Sequence, residues 1–600
     1  MTSDLWIHPT LIMVAGALLL PLVPRPVKKI FLMAVPIASF ADVLYIQYAM
    51  PQGTYGVVQV LNWTLTFGRV DRLTLVFAHI MSLMCLIGTL YGLNVEEDGQ
   101  HMAAWLYVAG SLGVVFCGDY LVLFVFWELM AFSSVFLVWY RRGAKALASG
   151  YRYLLVHTAG GLILLAGFVL RFQETGGDLF FGPAGVDNPT LATYLIMIGF
   201  ILNAAVPPLH AWLPDAYAEA TVSGSVFMCA FTTKTAVYTL ARAMAGMDIL
   251  VPLGVAMALY GVVYAVLEND ARRLLAYHII SQVGYMVAGV GIGTELAING
   301  TCAHAFAHIL YKGLLFMGTG AVLYATGTAK FSELGGLYKR MPWAFVFTLI
   351  GGLSISAFPL FSGFVSKAMI VAGAFQSHIL WAAFGLTLAS AGTFLHTGLK
   401  VPYFIWFGKN NCSEETWNKA REAPWNMNGA MIIASILCIF IGSYTPYLYH
   451  MLPYPEVAAN YHPYDTYHLS ETLNILLFTA LGFFLFTKKL APEPTISIDL
   501  DWFYRMGGRG FLWLASKPIQ GMDTAWGEAY RYLGLIPLMA KARFASWFDW
   551  NIIDLIIDGI ARWVRSVGSD LRHLQTGQFQ YGIFMAAAGV AAIVMIFVFA

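Results

Sequence analysis

In the stretch AHAFAHILYKG, residues 303–313, His304, His308 and Lys312 recur at every fourth position, and a helix would stack them along one side. Lys312 is the only formal charge between Leu296 and Ala329, a run otherwise suited to lipid. Three more charges are equally isolated. Glu128, in FVFWELMAFSS, is alone between Asp119 and Arg141; nine residues of helix past Asp119 carry it roughly 13 Å inward. Lys234, in AFTTKTAVYTLAR, is alone between Glu219 and Arg242, and Lys367, in GFVSKAMIV, between Arg340 and Lys400. One such residue reads as a buried pair or as a lysine snorkelling to the surface. Four, in four different segments and near mid-membrane, read as function, because each carries a large insertion cost.

The chemistry these residue types support is proton transfer. Burial pushes a lysine towards neutrality and a nearby carboxylate pulls it back, so a buried lysine can load and release a proton as its neighbours change. Histidine titrates near neutral pH and exchanges protons between its two ring nitrogens. His304 and His308, one turn apart and one turn before Lys312, read as a relay between lysines. A metal site is disfavoured, since Lys312 would repel a cation and no carboxylate is close in sequence. His157 and His210 are weaker, accessory candidates, and His278, in LLAYHIISQVGY, reads as a packing or hydrogen-bonding residue.

The rest of the chain must hold those residues in a membrane. Of 600 residues 59% are hydrophobic and 11% charged, well below the charge a soluble surface requires. The net charge of +1, with no basic run and no glycine-rich phosphate loop, gives no case for nucleic acid. The six cysteines are scattered without C-x-x-C spacing, against a zinc site, an iron–sulfur cluster or a disulfide framework. The 57 glycines are dispersed, which suits close helix packing in lipid.

The pattern predicts an all-α polytopic membrane protein with about sixteen spans, each able to cross roughly 30 Å of hydrocarbon. Alternating them puts eighteen lysines and arginines on one side and four on the other, so the first side is expected to be cytoplasmic and the N-terminus outside. Two spans, 190–220 and 342–376, are over-long and interrupted by proline, at VPPLHAWLPD (206–215) and SAFPLFSG (356–363). Each is the fourth span of a five-span block. Two odd-numbered blocks with matching breaks suggest inverted repeats, a transporter architecture. The expected organisation is N-terminal spans in 1–101, a first repeat in 102–243, a second in 250–407 and accessory spans in 408–490. A lateral segment follows in 491–577, then a last span in 578–600. The lateral segment carries an apolar stripe of Ile553, Ile556, Ile557, Ile560, Trp563 and Val567, which predicts an amphipathic helix on the cytoplasmic surface.

The stretches FVFWELMAFSS (124–134), PLHAWLPDAY (208–217), KTAVYTLAR (234–242), ENDARRLLAYHIISQVGYM (268–286), HAFAHILYKGLLFMGTG (304–320) and LSISAFPLFSGFVSK (353–367) occur in one order. Together they resemble the proton-translocating antiporter-like family: the large membrane subunits of respiratory complex I, Mrp cation/proton antiporters and membrane hydrogenase modules. The tail, with LQTGQFQYG (574–582) and a closing span, is similar to the longest of those subunits. The resemblance implies that Glu128 is the coupling carboxylate of a first half-channel with Lys234 at its inner end. It further implies that His304, His308 and Lys312 form the central connection and Lys367 the second, outward-leading half-channel. One position departs: where the family usually carries a lysine, five residues before the proline of PLHxWLP, this chain has Asn203. Asparagine cannot titrate, so either Glu128 uses another partner, with Lys234 taking the role, or the first half-channel is altered.

These readings predict a proton-conducting subunit of a multisubunit complex in a bacterial-type inner membrane, partnered by other membrane subunits. The transported ion would be the proton, with Na+ as a second candidate. The Mrp type of cation/proton antiporter is the leading expectation. A complex I-type or hydrogenase pump, or a scaffold or proton-supplying partner for inorganic-carbon uptake, are the alternatives. No cofactor site is expected, so any redox catalysis would belong to neighbouring subunits.

Overall fold

The computed structural model describes residues 6–494, 498–574 and 577–599. Gln575 and Thr576, in the LQTGQFQYG stretch, therefore lie outside the described residues. The chain forms two compact units, Met1–Asp501 and Trp502–Ala600.

The first unit begins with α1 (Pro9–Leu19) and α2 (Arg25–Ala49), followed by strands β1 (Gly53–Val60) and β2 (Trp63–Val70). The strands pair antiparallel in register Gly53–Val70 to Val60–Trp63. This hairpin corrects the all-α expectation. GTYGVVQV and WTLTFGRV are rich in β-branched and aromatic residues, and Leu61 takes a positive φ of 53° to turn the chain.

Next come α3 (Arg72–Tyr91), α4 (Asp98–Phe116), α5 (Tyr120–Trp139) and α6 (Ala144–Glu174). Asp71 and Asp119 cap α3 and α5, accepting from the Thr74 and Val122 amides. The 190–220 span is divided into α7 (Leu191–Asn203) and α8 (Trp212–Glu219). Between them Ala205 turns through a positive φ, and Pro207 and Pro208 deny the backbone two donors. The next span is also split, into α9 (Val222–Met228) and α10 (Thr232–Ala243), where a continuous helix over 222–243 was expected.

The second block runs α11 (Leu250–Leu267), α12 (Ala271–Ile292), α13 (Glu295–Thr326), α14 (Pro342–Ile355), α15 (Ser362–Gln376) and α16 (Leu380–Thr393). A π turn over Phe394–Lys400 continues α16. The α14–α15 break carries positive φ at Ala357 and Leu360. α11 and α12 cross so closely that a Cβ on Gly254 would sit 2.3 Å from the Ala288 nitrogen, the small-residue contact expected in lipid. α12 and α13 lie at the centre: 94% of each apolar window is buried.

Four more helices, α17 (Glu414–Lys419), α18 (Trp425–Ser443), α19 (Thr445–Tyr449) and α20 (Pro455–Ala459), lead to α21 (Thr466–Leu485). Among the described residues ten helices are long and apolar enough to cross a membrane, and Pro9–Leu22, Leu191–Asn203 and Pro342–Ile355 are shorter apolar pieces. The difference from sixteen arises partly because broken spans appear as halves too short to qualify alone.

The second unit is a helical run of α22 (Asp501–Leu514), α23 (Gln520–Ala529), α24 (Ile536–Phe548) and α25 (Asp554–His573), joined by π turns, and then α26 (Phe579–Phe599). Pro518 lies inside the first π turn, and Pro537 in the first turn of α24, a position that needs no proline N–H. The expected stripe is exposed throughout, from Val567 at 37% to Trp563 at 67%.

Candidate functional site

Two lysines satisfy carbonyls released where helices break. The α9–α10 interruption leaves the Cys229 carbonyl without a helical donor, and Lys234 Nζ donates to it at 2.6 Å and to Thr233 Oγ1 at 3.1 Å. At the second break Lys367 Nζ donates to the carbonyl of Ile355, the last residue of α14, at 3.4 Å. Lys367 also stands 5.1 Å from the centroid of the Tyr285 ring, a cation–π placement. Both lysines are buried, Lys234 completely. Buried amines with neutral partners hold a proton without a fixed counter-ion, which is what a transfer site requires.

Between them α13 carries the expected stripe. His304, His308 and Lys312 are fully buried. His304 Nδ1 is 3.1 Å from Ser366 Oγ, next to Lys367 in sequence, and the His304 and His308 rings are 6.2 Å apart. Both His308 nitrogens lack a hydrogen-bond partner among the described residues. Unpaired polar atoms in a buried polar setting favour ordered water.

Lys312 does not continue along its own helix. Its Nζ is 3.1 Å from His278 Nδ1 on α12. His278 is the hydrogen-bonding residue that the sequence reading allowed: its other nitrogen, Nε2, is 3.2 Å from Thr393 Oγ1, and its ring is 4.6 Å from that of His396. Lys400, expected as a surface charge, is 3% exposed and donates to the Val266 and Glu268 carbonyls. The sequence signal for His396 and Lys400 was LHTGLK (395–400), a polar pair inside an apolar span, obscured because Lys400 lies at its edge.

Around Glu128 the polar groups remain unmatched. Among the described residues Glu128 Oε1 has no hydrogen-bond partner, and neither do the two nitrogens of His157 or the two amide atoms of Asn203. Among the described residues no ion pair within 4.0 Å joins Glu128 to a base, Lys234 included. The carboxylate lies over Gly161 of α6, where a Cβ would meet Oε1 at 2.0 Å. His157, one turn earlier on that helix, is packed between a tilted Tyr153 ring (4.2 Å) and the edge-on Trp212 ring (4.5 Å), with Asn203 beside it. His210 is placed apart from this group: its Nε2 meets Asp499 Oδ2 at 3.2 Å.

Asp499, in the segment after α21, also accepts from the Tyr277 hydroxyl at 2.5 Å and from Tyr260. Burial opposes its charge, but these donors hold its carboxyl below the usual range. At the start of α3, Arg242 makes a bidentate bond to Asp71, both contacts 2.7 Å. Burial would raise the Asp71 carboxyl, yet the Arg242 bonds and charge hold it down to about 2.

Two cavities carry charged residues in their walls. A cavity of about 50 Å³ reaches Lys367 between Thr387, Ser390, His468 and Glu471, room for more than one water. A larger funnel of about 660 Å³ is lined by Glu268, Asp270, Arg272, Arg273, Lys330 and Glu333, among others. Among the described residues no cluster of three or more His, Cys, Asp or Glu side chains could hold a metal.

Comparison with known proteins gives a consistent answer. Residues 117–393 match the family described as NADH:quinone oxidoreductase/Mrp antiporter, TM. Hydrogenase-4 component B of Escherichia coli (strain K12) is 27% identical over 605 aligned residues, 88% of each chain. Na(+)/H(+) antiporter subunit A1 of Staphylococcus haemolyticus (strain JCSC1435) is 29% identical over 74% of this chain, which spans 61% of that protein's length. In structure, a chain of the Mrp complex from Dietzia sp. DQ12-45-1b superposes with a TM-score of 0.67 at 22% identity, covering 78% of this chain and 98% of that one. The resemblance read from the motifs therefore holds, and these homologues are subunits or components of multisubunit membrane complexes. The chain is a multi-pass membrane protein similar to Mrp Na+/H+ antiporter subunits and hydrogenase-4 component B, and its residues 117–393 match the NADH:quinone oxidoreductase/Mrp antiporter family.

Proposed function

We propose that this chain is the proton-translocating subunit of a multisubunit membrane complex, most simply a cation/proton antiporter of the Mrp type. Protons pass along a buried file of Glu128, Lys234, His308, His304, Lys312 and Lys367. The observation that carries the reading is the pair of lysines at broken helices, Lys234 and Lys367, with the α13 histidines between them, all buried and, among the described residues, without carboxylate partners within 4.0 Å. His157 and Asn203 complete the Glu128 end, and His210 is structural, engaged by Asp499. Na+ is transported elsewhere in the complex, since midplane lysines repel a cation.

The face bearing Arg141, Arg273 and Lys330 is cytoplasmic and the N-terminus is outside, by the excess of basic residues there. The two five-span blocks are inverted repeats. Their fourth spans break at equivalent places, and their fifth spans are both irregular, at Cys229–Phe231 and at the Phe394–Lys400 π turn. The test is Lys367→Ala in vesicles carrying the whole complex. Flux should collapse with assembly unchanged, and retained flux would defeat the reading. A redox-driven pump is the second reading, favoured by the 88% coverage of hydrogenase-4 component B; it predicts flux that depends on an electron donor rather than on a Na+ gradient.

A further inference from the structure

We infer that the second block has its own proton inlet from the basic face, running Lys400–His396–His278 to Lys312 and bypassing Glu128. It rests on the proton-conducting reading above and adds three residues to it. The funnel reaches Glu268, whose side chain pairs with Arg273 at 3.2 Å and whose carbonyl accepts from Lys400 Nζ at 2.8 Å. Lys400 is thus bonded to a residue that lines the funnel. His396, four residues earlier on the same π turn, is fully buried. Its Nδ1 is 2.7 Å from Thr397 Oγ1, and its Nε2 has no partner among the described residues. It lies within electrostatic reach of both Lys400 and Lys312. Next comes His278, at 4.6 Å between ring centroids, and then Lys312 at 3.1 Å.

The π turn matters here. A wide turn rotates side chains relative to an α-helix, and such turns concentrate at functional sites. A histidine with an unpaired nitrogen in the interior is costly unless that nitrogen has a use.

The transfer balances without a co-reactant. Lys400 gives a proton from its ammonium to His396 and is recharged from the funnel. His396 passes a proton to His278 at Nε2, on the Thr393 side. His278 releases the proton on Nδ1 to the neutral amine of Lys312. Rotation of each ring restores the starting tautomer. Lys312 can then load without Glu128, so the missing lysine at Asn203 does not silence the subunit.

The test compares His396→Gly, His278→Gln and Lys367→Ala in inverted vesicles of the whole complex, with assembly checked for each. His396→Gly and His278→Gln should lower flux at least roughly tenfold, and added imidazole should restore flux in His396→Gly alone. In a Cys412→Ser background, Lys400→Cys should react with a charged thiol reagent applied to the basic face. Normal flux in His396→Gly while Lys367→Ala is dead would overturn the inlet and leave the main reading standing. Normal flux in all three would overturn both. Lost flux that imidazole does not restore, or an introduced thiol at position 400 closed to the reagent, would reduce His396 and Lys400 to packing roles and end the proposal.

Discussion

Replacing Gly161 with alanine should act on Glu128 almost alone. The added Cβ would lie 2.0 Å from Oε1, 3.0 Å from Cδ and 3.5 Å from Oε2, with no backbone atom of a neighbouring helix among its nearest contacts. Ordinary contact begins near 3.4 Å, so the carboxylate must retreat by about 1.4 Å. Because the obstructed atom ends a flexible side chain, the stability cost should be at the low end of overpacking, about 1 kcal/mol. A displacement of that size at a reacting group costs on the order of 100-fold in rate, so proton flux through the first half-channel, isolated by making the variants in a His396→Gly background that closes the second inlet, should fall between roughly tenfold and that limit.

The control is one residue away. The three atoms nearest a Cβ at Gly160 all belong to the Leu202 side chain, the first at 3.0 Å, and Gly160→Ala should leave flux unchanged at a similar stability cost. Both variants would be assembled into the complex and followed with a pH-sensitive dye in vesicles, beside a thermal melt in detergent. Equal flux from the two variants would show that the position of the Glu128 carboxylate does not control conduction.

Two further outcomes concern the rim of the file. Asp71→Asn would leave the Arg242 guanidinium, 4% exposed, without its bidentate partner, and should cost about 3 kcal/mol, seen as a lower melting temperature. Since the Asp71 carboxyl is held down to about 2 in the folded state, its contribution is complete above about pH 4 and is lost as the pH falls towards 2. A pH-independent difference between wild type and variant across that window would refute the pairing as its source. Asp499→Ala should release the segment after α21, because His210, Tyr260 and Tyr277 lose their common acceptor. Faster proteolytic cleavage near residue 499 is the expected result, and an unchanged cleavage rate would show that other contacts hold the segment. With that carboxyl held below its usual range, wild type should stay protected across neutral and mildly acid pH, losing protection only well below pH 4.

The isolated charges were legible in the sequence because an apolar background makes a single lysine conspicuous. The structure buries Lys234, Lys312 and Lys367 as that contrast predicted. Proline exposed the α7–α8 and α14–α15 breaks for the same local reason. The α9–α10 break was not legible, since Cys229, Ala230 and Phe231 carry no helix-breaking chemistry and the Thr232 amide at the interruption is taken up by a tertiary contact, the Tyr107 hydroxyl. The hairpin over residues 53–70 was missed because a short strand pair has far less hydropathy signal than the spans beside it. His278 could not be ranked above other histidines: its significance comes from Lys312, thirty-four residues away in sequence, and from Thr393, farther still. The polar contacts that turn a histidine into a relay are non-local, whereas the cost of burying a charge is visible at a single position.

The lysines at the helix breaks also have a mechanical side. Lys234 and Lys367 each stitch a loose carbonyl, so the grip on that oxygen weakens whenever the amine gives up its positive charge. Emptying the carrier therefore slackens the kink it fastens, and filling it draws the kink tight. Occupancy by a hydrogen ion becomes a tug on the polypeptide at two places, which neighbouring subunits could sense as a shift in helix position.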